Sequence, residues 1–460
     1  MEASPSRLHP NIKHSKCRGE VTYSIFAQKE GIFKTQFPNR EKKTLLDWYL
    51  SIRERTIFIC KPLYIEDFVS KYSAFSSIKW HLGHTTWLFE RYVLRVFLKK
   101  YTPFQETFDQ IFHSSENANQ DKAFSRPSLD TVMAYRKQID EKMEVFIKEE
   151  FSFLSEVQKE EIESIFSFIL DLEKESQEEI LTQIKAGFFE NDFYGQYWSC
   201  TGEAFSKSRQ ILSSPQWIFI KGGLVNIGSD GKEFAFDMEM PRHTRYIESF
   251  EITQRPVTNG EFLQFVEKGG YERGGLWLEE GFEQIKRLKR VLPRYWKRSG
   301  SAIKQFTLSG IQPLNLNEPV SHLNYFEADA YARYARARLP SEIEWELASQ
   351  SLKSLNGNFL NQGHLHPQPL KEDDLRIAPR LHAMFGDVWE WTSSLYSPYP
   401  RFEPADICLW KYTGRLEGSK RVVRGGSCLF DGEGFRRTCR KPISLFCNEY
   451  CTGLRLVRSV

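Results

Sequence analysis

The 460-residue sequence predicts two unlike parts, an all-helical bundle followed by a mixed α+β domain rich in irregular loops. Three observations carry this expectation. Between Thr44 and Leu212, apolar residues recur at helical spacing over long stretches. At Pro215 the texture changes to glycine, turn residues and short apolar runs, such as Trp217-Ile218-Phe219-Ile220 and Arg421-Val422-Val423-Arg424-Gly425-Gly426-Ser427. With 40% apolar and 14% aromatic residues, the chain carries enough hydrophobic surface for a proper core in each part.

Residues 1–40 are basic, serine-rich and poor in aliphatics, which predicts a mobile tail. Leu45, Leu46, Tyr49, Leu50 and Ile52 open a first helix. The stretch Ile78-Lys79-Trp80-His81-Leu82-Gly83-His84-Thr85-Thr86-Trp87-Leu88-Phe89-Glu90 forms a second, running to about Lys99. A third starts at Pro127-Ser128-Leu129-Asp130, with Ser128 as N-cap and Val132, Tyr135, Ile139 and Met143 behind it. A fourth spans roughly Glu160 to Lys185, with Ile165, Phe168, Ile169, Leu172 and Ile180 as its apolar stripe. Four long helices joined by loops predict a bundle over residues 41–212. In residues 213–460 the helices are short: Asn259 to Glu267, capped by Thr258 or Asn259, and Glu327 to Arg338.

Charge excludes some functions. There are 63 basic and 60 acidic residues, so a net charge of +3 gives no reason to expect nucleic acid as a partner. No apolar run reaches membrane-spanning length, and nothing near Met1 resembles a signal sequence. The eight cysteines are sparse and lack CxxC spacing, which argues against a zinc knuckle and for reduced thiols in a cytoplasmic protein. Cys447 and Cys451 are close enough in sequence to meet.

Trp80, His84, Trp87 and Arg91 fall at i, i+4, i+7 and i+11 and share a helix face. A histidine between two tryptophans is either a metal ligand or general base, or a core histidine bonded to a carbonyl. Fragments elsewhere bear on the choice. Pro241-Arg242-His243, Arg255-Pro256-Val257-Thr258-Asn259-Gly260-Glu261-Phe262, Tyr325-Phe326-Glu327-Ala328-Asp329-Ala330-Tyr331, Arg338-Leu339-Pro340-Ser341-Glu342, Gly386-Asp387-Val388-Trp389-Glu390-Trp391-Thr392, Arg424-Gly425-Gly426-Ser427 and Gly453-Leu454-Arg455 follow one another in order. In these pieces the second part resembles the formylglycine-generating-enzyme, or sulfatase-modifying-factor, type of C-type-lectin-like domain. The first part resembles the DinB-like four-helix bundle of the ergothioneine-pathway sulfoxide synthases, in Trp80-His81-Leu82-Gly83-His84-Thr85-Thr86-Trp87, Phe89-Glu90-Arg91 and Arg126-Pro127-Ser128-Leu129-Asp130; Phe234-Ala235-Phe236-Asp237 also matches. The resemblance covers about residues 44 to 460. It implies a non-haem iron oxidase that uses O2 to join a cysteine-type thiol to the imidazole of trimethylhistidine, a histidine betaine, with oxidation of the sulfur.

That family holds Fe(II) with three histidines. The WxxxH helix supplies one, which the resemblance places at His84. An H-x3-H-x-E motif before Thr-Asp-Ile-Lys supplies two. Aligned on Thr182 to Lys185, those positions hold Leu172 and Ser176, and only the motif glutamate remains, as Glu178. No histidine occurs between His113 and His243. One imidazole is a weak Fe(II) site, since leucine donates nothing and a neutral hydroxyl is a poor ligand. The Fe(II) of the family is therefore in doubt here. The rescue would pair His84, and His81 with it, with Glu175, Glu178 or Glu179; against it, Glu173, Glu175, Glu178 and Glu179 read mostly as a solvated helix face.

By resemblance, a tyrosine in Leu395-Tyr396-Ser397-Pro398-Tyr399-Pro400 faces the iron and donates a proton; Tyr396 and Tyr399 both match, against the alternative of a packed aromatic loop. Arg436, Arg437 and Arg440 are available to grip the thiol substrate's carboxylates, or are surface arginines. Four functions compete: a sulfoxide synthase with a repaired iron site, a non-catalytic descendant that keeps the histidine-derivative pocket, a formylglycine-generating oxidase and a bare lectin-like interaction domain. The third needs two cysteines where this chain has Phe430 and Phe435, with Cys428 and Cys439 at the wrong offsets. The complete helical part in front argues against the fourth.

Overall fold

The computed structural model describes residues 44–69, 76–113, 127–190, 197, 212–376, 380–403 and 419–460. The basic segment 1–40, Cys17, Arg126 and Cys200 lie outside the described residues.

The helical part is set by its caps and its apolar stripes. Helix α1 (Leu45–Cys60) opens on a capping box in which Thr44 and Asp47 satisfy each other's backbone N–H. Helix α2 (Ile78–Phe89) is capped by Ser77, and every one of its residues is buried. The expected run to Lys99 is interrupted. A π turn covers Glu90–Leu94 and a short helical turn Arg95–Phe97. The π turn begins at the buried Glu90 carboxylate, which accepts from Arg95, Tyr101, Tyr135 and the Phe104 amide. Helix α3 (Leu129–Val145) starts at Ser128 as predicted. Helix α4 (Glu156–Glu190) is longer at both ends than the predicted stretch. Tyr49, Leu88, Phe89, Ile139, Phe166 and Ile169 fill one core between the four. α2 packs on α3 and α4, and α1 packs on α4.

Charge is buried in this core and is paired around Glu173. Glu173 of α4 accepts from Arg53 at 3.0 Å, from Thr56 at 2.7 Å and from Arg136. Arg53 also meets Asp140 at 2.7 Å. Burial alone would raise the Glu173 carboxyl, but Arg136 and Arg53 outweigh it and hold it at about 2.

The C-terminal part is a set of small sheets. Strand β1 (Trp217–Ile220) pairs with β4 (Phe250–Thr253), and the last strand, β12 (Val457–Ser459), returns to the other edge of β4. β2 (Gly223–Ile227) and β3 (His243–Ile247) form a hairpin. β5 (Trp296–Ser299), β6 (Ala302–Thr307) and β7 (Gly310–Pro313) form a meander. The four-stranded sheet has the order β10 (Lys441–Ser444), β9 (Lys420–Arg424), β8 (Trp389–Leu395), β11 (Thr452–Gly453). The helix Asn259–Glu267 is capped by Thr258, and the helix Tyr325–Tyr334 by Asn324. No helix among the described residues is long and apolar enough to cross a membrane.

Helix α4 is also the wall of the second part. Glu178 is fully buried and accepts from Trp389 Nε1 at 2.8 Å, Ser427 Oγ at 2.5 Å and Lys441 Nζ at 2.7 Å. Lys174 donates to the Glu433 carbonyl at 2.7 Å, and Arg436 reaches Asp171. Arg55 of α1 pairs with Asp431. The expectation that Glu173 and Glu178 sit on a solvated face is thus wrong. The helix is packed on two sides, and its charges find partners in both parts.

Two outcomes follow for stability. Glu178→Leu leaves three buried donors, one of them charged, without an acceptor and should cost about 3–5 kcal/mol, read as a lower urea midpoint. Glu173 has a folded pKa of about 2 against a reference of 4.5, so its contribution is present above pH 4.5 and lost as pH falls from there toward 2. Glu173→Gln should therefore lower stability near neutral pH by about 3 kcal/mol and flatten the acid limb of a midpoint-against-pH curve.

Candidate functional site

Leu172, Ser176 and Glu179 fall at i, i+4 and i+7 of α4 and share a face. α2 runs antiparallel along it: Gln183 donates to the Ser76 carbonyl at one end, while Arg53 joins Thr86 to Glu173 at the other. Between these ends, His81 stands 3.3 Å from Ser176 Oγ through Nδ1 and 3.4 Å from Glu179 Oε2 through Nε2. Tyr450 donates to the other Glu179 oxygen at 2.8 Å. A chain of polar groups thus crosses from α2 through α4 into the C-terminal part. Burial lowers the pKa of His81, opposed by Glu179, so the ring is neutral at pH 7.

His84 lies one turn on. Its ring stacks on Trp80 with centroids 4.3 Å apart and lies 6.2 Å from Trp87. Nδ1 is 2.6 Å from the Phe112 carbonyl. A carbonyl can only accept, so Nδ1 carries the proton and the lone pair is on Nε2. Core histidines and metal-ligating histidines both use this bond. Burial pushes the imidazole down to about 3, against the pull of that carbonyl.

The donor set does not fit an iron site of three imidazoles. Leu172 carries no donor atom and Ser176 is engaged by His81. Glu178 is already bound by three donors. Among the described residues, no group of three His, Cys, Asp or Glu side chains is placed to hold a metal ion. Glu175 is half-buried and acts electrostatically on Lys441, Tyr396 and Cys439. Burial pushes its carboxyl up to about 7; Lys441 opposes this, and Glu179, Glu178 and Asp171 add to it. Burial also works against the charge on Lys441, but Glu178, Glu175 and Glu179 outweigh it and raise its pKa. The ammonium lies 4.6 Å from the Tyr450 ring centre.

The structure brings Tyr396, Tyr399 and Arg440 together. The Arg440 guanidinium lies 4.1 Å from the Tyr399 ring centre and 5.3 Å from that of Tyr396. It forms a fork with Glu342 at 2.7 and 2.9 Å and also donates to the Met238 and Ser397 carbonyls. Both tyrosines are buried, and burial raises both hydroxyl pKa values. Arg436 bridges Asp171 of α4 to Glu239 and lies 5.3 Å from the Phe234 and Phe236 ring centres. Arg437 stands apart and donates to the Leu352 carbonyl at 2.6 Å. Phe430 and Phe435 pack on Trp389 beside the crevice that Asp171, Arg436 and Cys439 line.

Cys447 does not meet Cys451; its thiol donates to Glu449 at 3.0 Å, and Cys451 contacts Cys428 instead. Lys441 and Tyr450 were not legible as site residues. Their partners on α4 lie 263 and 271 positions away, and no motif in the chain marks either side chain.

The model of the sulfatase-modifying factor enzyme 1-like domain matches residues 202–369 and 379–460. Hercynine oxygenase of Mycobacterium tuberculosis is 30% identical over 254 residues, 51% of this chain and 58% of that protein. Hercynine oxygenase of Mycolicibacterium smegmatis is 33% identical over 235 residues, 46% of this chain and 53% of that protein. Ergothioneine biosynthesis protein 1 of Schizosaccharomyces pombe is 28% identical over 204 residues, 42% of this chain and 23% of that protein. The chain thus spans little more than half the length of the hercynine oxygenases it matches. The expected formylglycine-generating-type domain is the one found, with mixed helices and sheets behind a helical region. The chain belongs to the sulfatase-modifying factor enzyme 1-like family, and over about half its length it is similar to hercynine oxygenases and to an ergothioneine biosynthesis protein.

Proposed function

We propose that this chain is a sulfoxide-synthase homologue that has lost the family's iron site and keeps a pocket for a histidine betaine between a DinB-like bundle and the C-terminal domain. One observation carries the reading. The two motif-histidine positions hold Leu172 and Ser176, and the neighbouring carboxylates of Glu178 and Glu179 are hydrogen-bonded within the protein. A metal would have to displace Lys441 from Glu178, exchanging a buried ion pair for a weak oxygen ligand. The half-buried Glu175, which acts electrostatically on Tyr396, supports a site for a trimethylammonium group. Arg436, Arg437 and Arg440 remain the groups proposed for a thiol's carboxylates, each at the expense of an acceptor it now holds.

The second reading is a working oxygenase with a rebuilt site. It is favoured by the His84 tautomer, with its lone pair on Nε2, and by the closeness of His81 to Glu179. Its ligands would be His81 and His84 with Glu175 or Glu179. In that case Tyr396 or Tyr399 would supply the proton.

Anaerobic loading with Fe(II), followed by metal analysis, thiol-dependent O2 uptake and calorimetry with trimethylhistidine, separates the two. The expected result is substoichiometric iron, no O2 uptake and saturable betaine binding. Stoichiometric iron that is lost in His84→Ala would overturn it in favour of the oxygenase. In the reverse direction, Leu172→His together with Ser176→His should raise Fe(II) affinity by on the order of 100-fold or more, since outer-shell partners alone are worth about 10–100-fold. Unchanged affinity in a folded double variant would count against the alignment that assigns those positions.

A further inference from the structure

We propose that Cys428 and Cys451 form a modification site, a dithiol that oxidation closes into a disulfide beside the Glu178 interface. The two Sγ atoms lie 3.7 Å apart, and the residues are only 1% and 2% exposed. Their backbones are anchored to one short segment. The Cys428 amide donates to the Asp387 carbonyl at 3.1 Å, and the Cys451 thiol faces that same carbonyl at 3.5 Å. The Cys451 carbonyl accepts from the Trp389 amide at 2.9 Å. A disulfide sets the sulfurs about 2.05 Å apart, so closure asks for an approach of roughly 1.7 Å, shared between two side-chain rotations. Among the described residues no other two thiols are in hydrogen-bond contact.

The surroundings set the pace of the reaction. Lys185 acts electrostatically on both thiols and stands 2.7 Å from His322 Nε2. Burial pushes the Cys428 thiol pKa up, so the resting pair is protonated and attack waits on a scarce thiolate. The oxidant is a peroxide, small enough to reach a buried pair. One thiolate attacks a peroxide oxygen; the O–O bond breaks, hydroxide leaves and a sulfenic acid forms. The second thiol attacks that sulfur, and the S–O bond breaks with loss of water. Two thiols give up two electrons and two protons, and hydrogen peroxide leaves as two waters.

The position gives the link a consequence. Ser427, next to Cys428, and Trp389, paired with the Cys451 backbone, both donate side-chain hydrogen bonds to Glu178. A bond between the cysteines closes the loop 428–451, and that loop is tied to both donors, to Ser427 through the chain and to Trp389 through its amide hydrogen bond to the Cys451 carbonyl. The test treats the full reduced chain with hydrogen peroxide, alkylates remaining thiols after denaturation and maps the peptides by mass. The expected product is a 428–451 link, absent from Cys428→Ser and from Cys451→Ser, with a melting midpoint raised in the wild type and restored by dithiothreitol. Recovery of both residues as alkylated thiols overturns the proposal. So does an oxidised chain in which either is joined to Cys439 or Cys447. A 428–451 link without a rise in midpoint overturns its coupling to the interface.

Discussion

Glu173 and Glu178 stand on one helix, five positions apart and fully buried, and they face different partners. Glu173 collects Arg53, Arg136 and Thr56 from the bundle, while Glu178 collects Trp389, Ser427 and Lys441 from the C-terminal part. Five residues turn an α-helix by roughly 140°, enough to aim the two carboxylates at different neighbours. Burying two charges is costly unless each is hydrogen-bonded and opposed by a cation, and both conditions hold at each site. The orientation of α4 is thereby fixed on both sides. Whatever lies on its remaining face, Leu172, Ser176 and Glu179, is presented to α2 in one register.

Under the proposed reading, that register would let the pocket lose imidazoles without collapsing. Leu172 packs against the bundle core, and Ser176 fits beside His81. Neither substitution leaves an orphaned charge. The family's ligand histidines would be neutral nitrogens at the same surface, so exchanging them for a leucine and a serine changes the chemistry on offer more than the electrostatics of the fold. His84 keeps its Phe112 carbonyl and its place between two tryptophans because those contacts hold the ring as a packing element in their own right.

Much of the architecture was legible. Ser128 and Thr258 cap the helices they were expected to cap, and the helix Asn259–Glu267 has the predicted bounds. Helical periodicity and capping are local, so one stretch of sequence suffices to read them. The burial of Glu173 and Glu178 was not legible, because a run of glutamates looks alike whether one or two layers cover it. The Cys428–Cys451 contact was missed for the same reason: the two lie 23 positions apart and meet at the Asp387 carbonyl, and nothing in the spacing says so. Arg436, Arg437 and Arg440 read as free cations, yet Asp171, Glu239, Glu342 and several backbone carbonyls already hold them.

The charges near the pocket explain why the C-terminal part has its own claim on stability. Glu175, Glu178 and Glu179 put three carboxylates on adjoining turns of α4, and such a group would repel itself without a nearby cation. Lys441 is that cation, contributed by strand β10, fixed by Glu178 and set over the Tyr450 ring. The compensating charge is covalently part of the chain and ties strand β10 to α4. With Glu178 satisfied by its three donors, Glu179 accepts from Tyr450 and faces His81, while burial favours the neutral form of the Glu175 carboxyl.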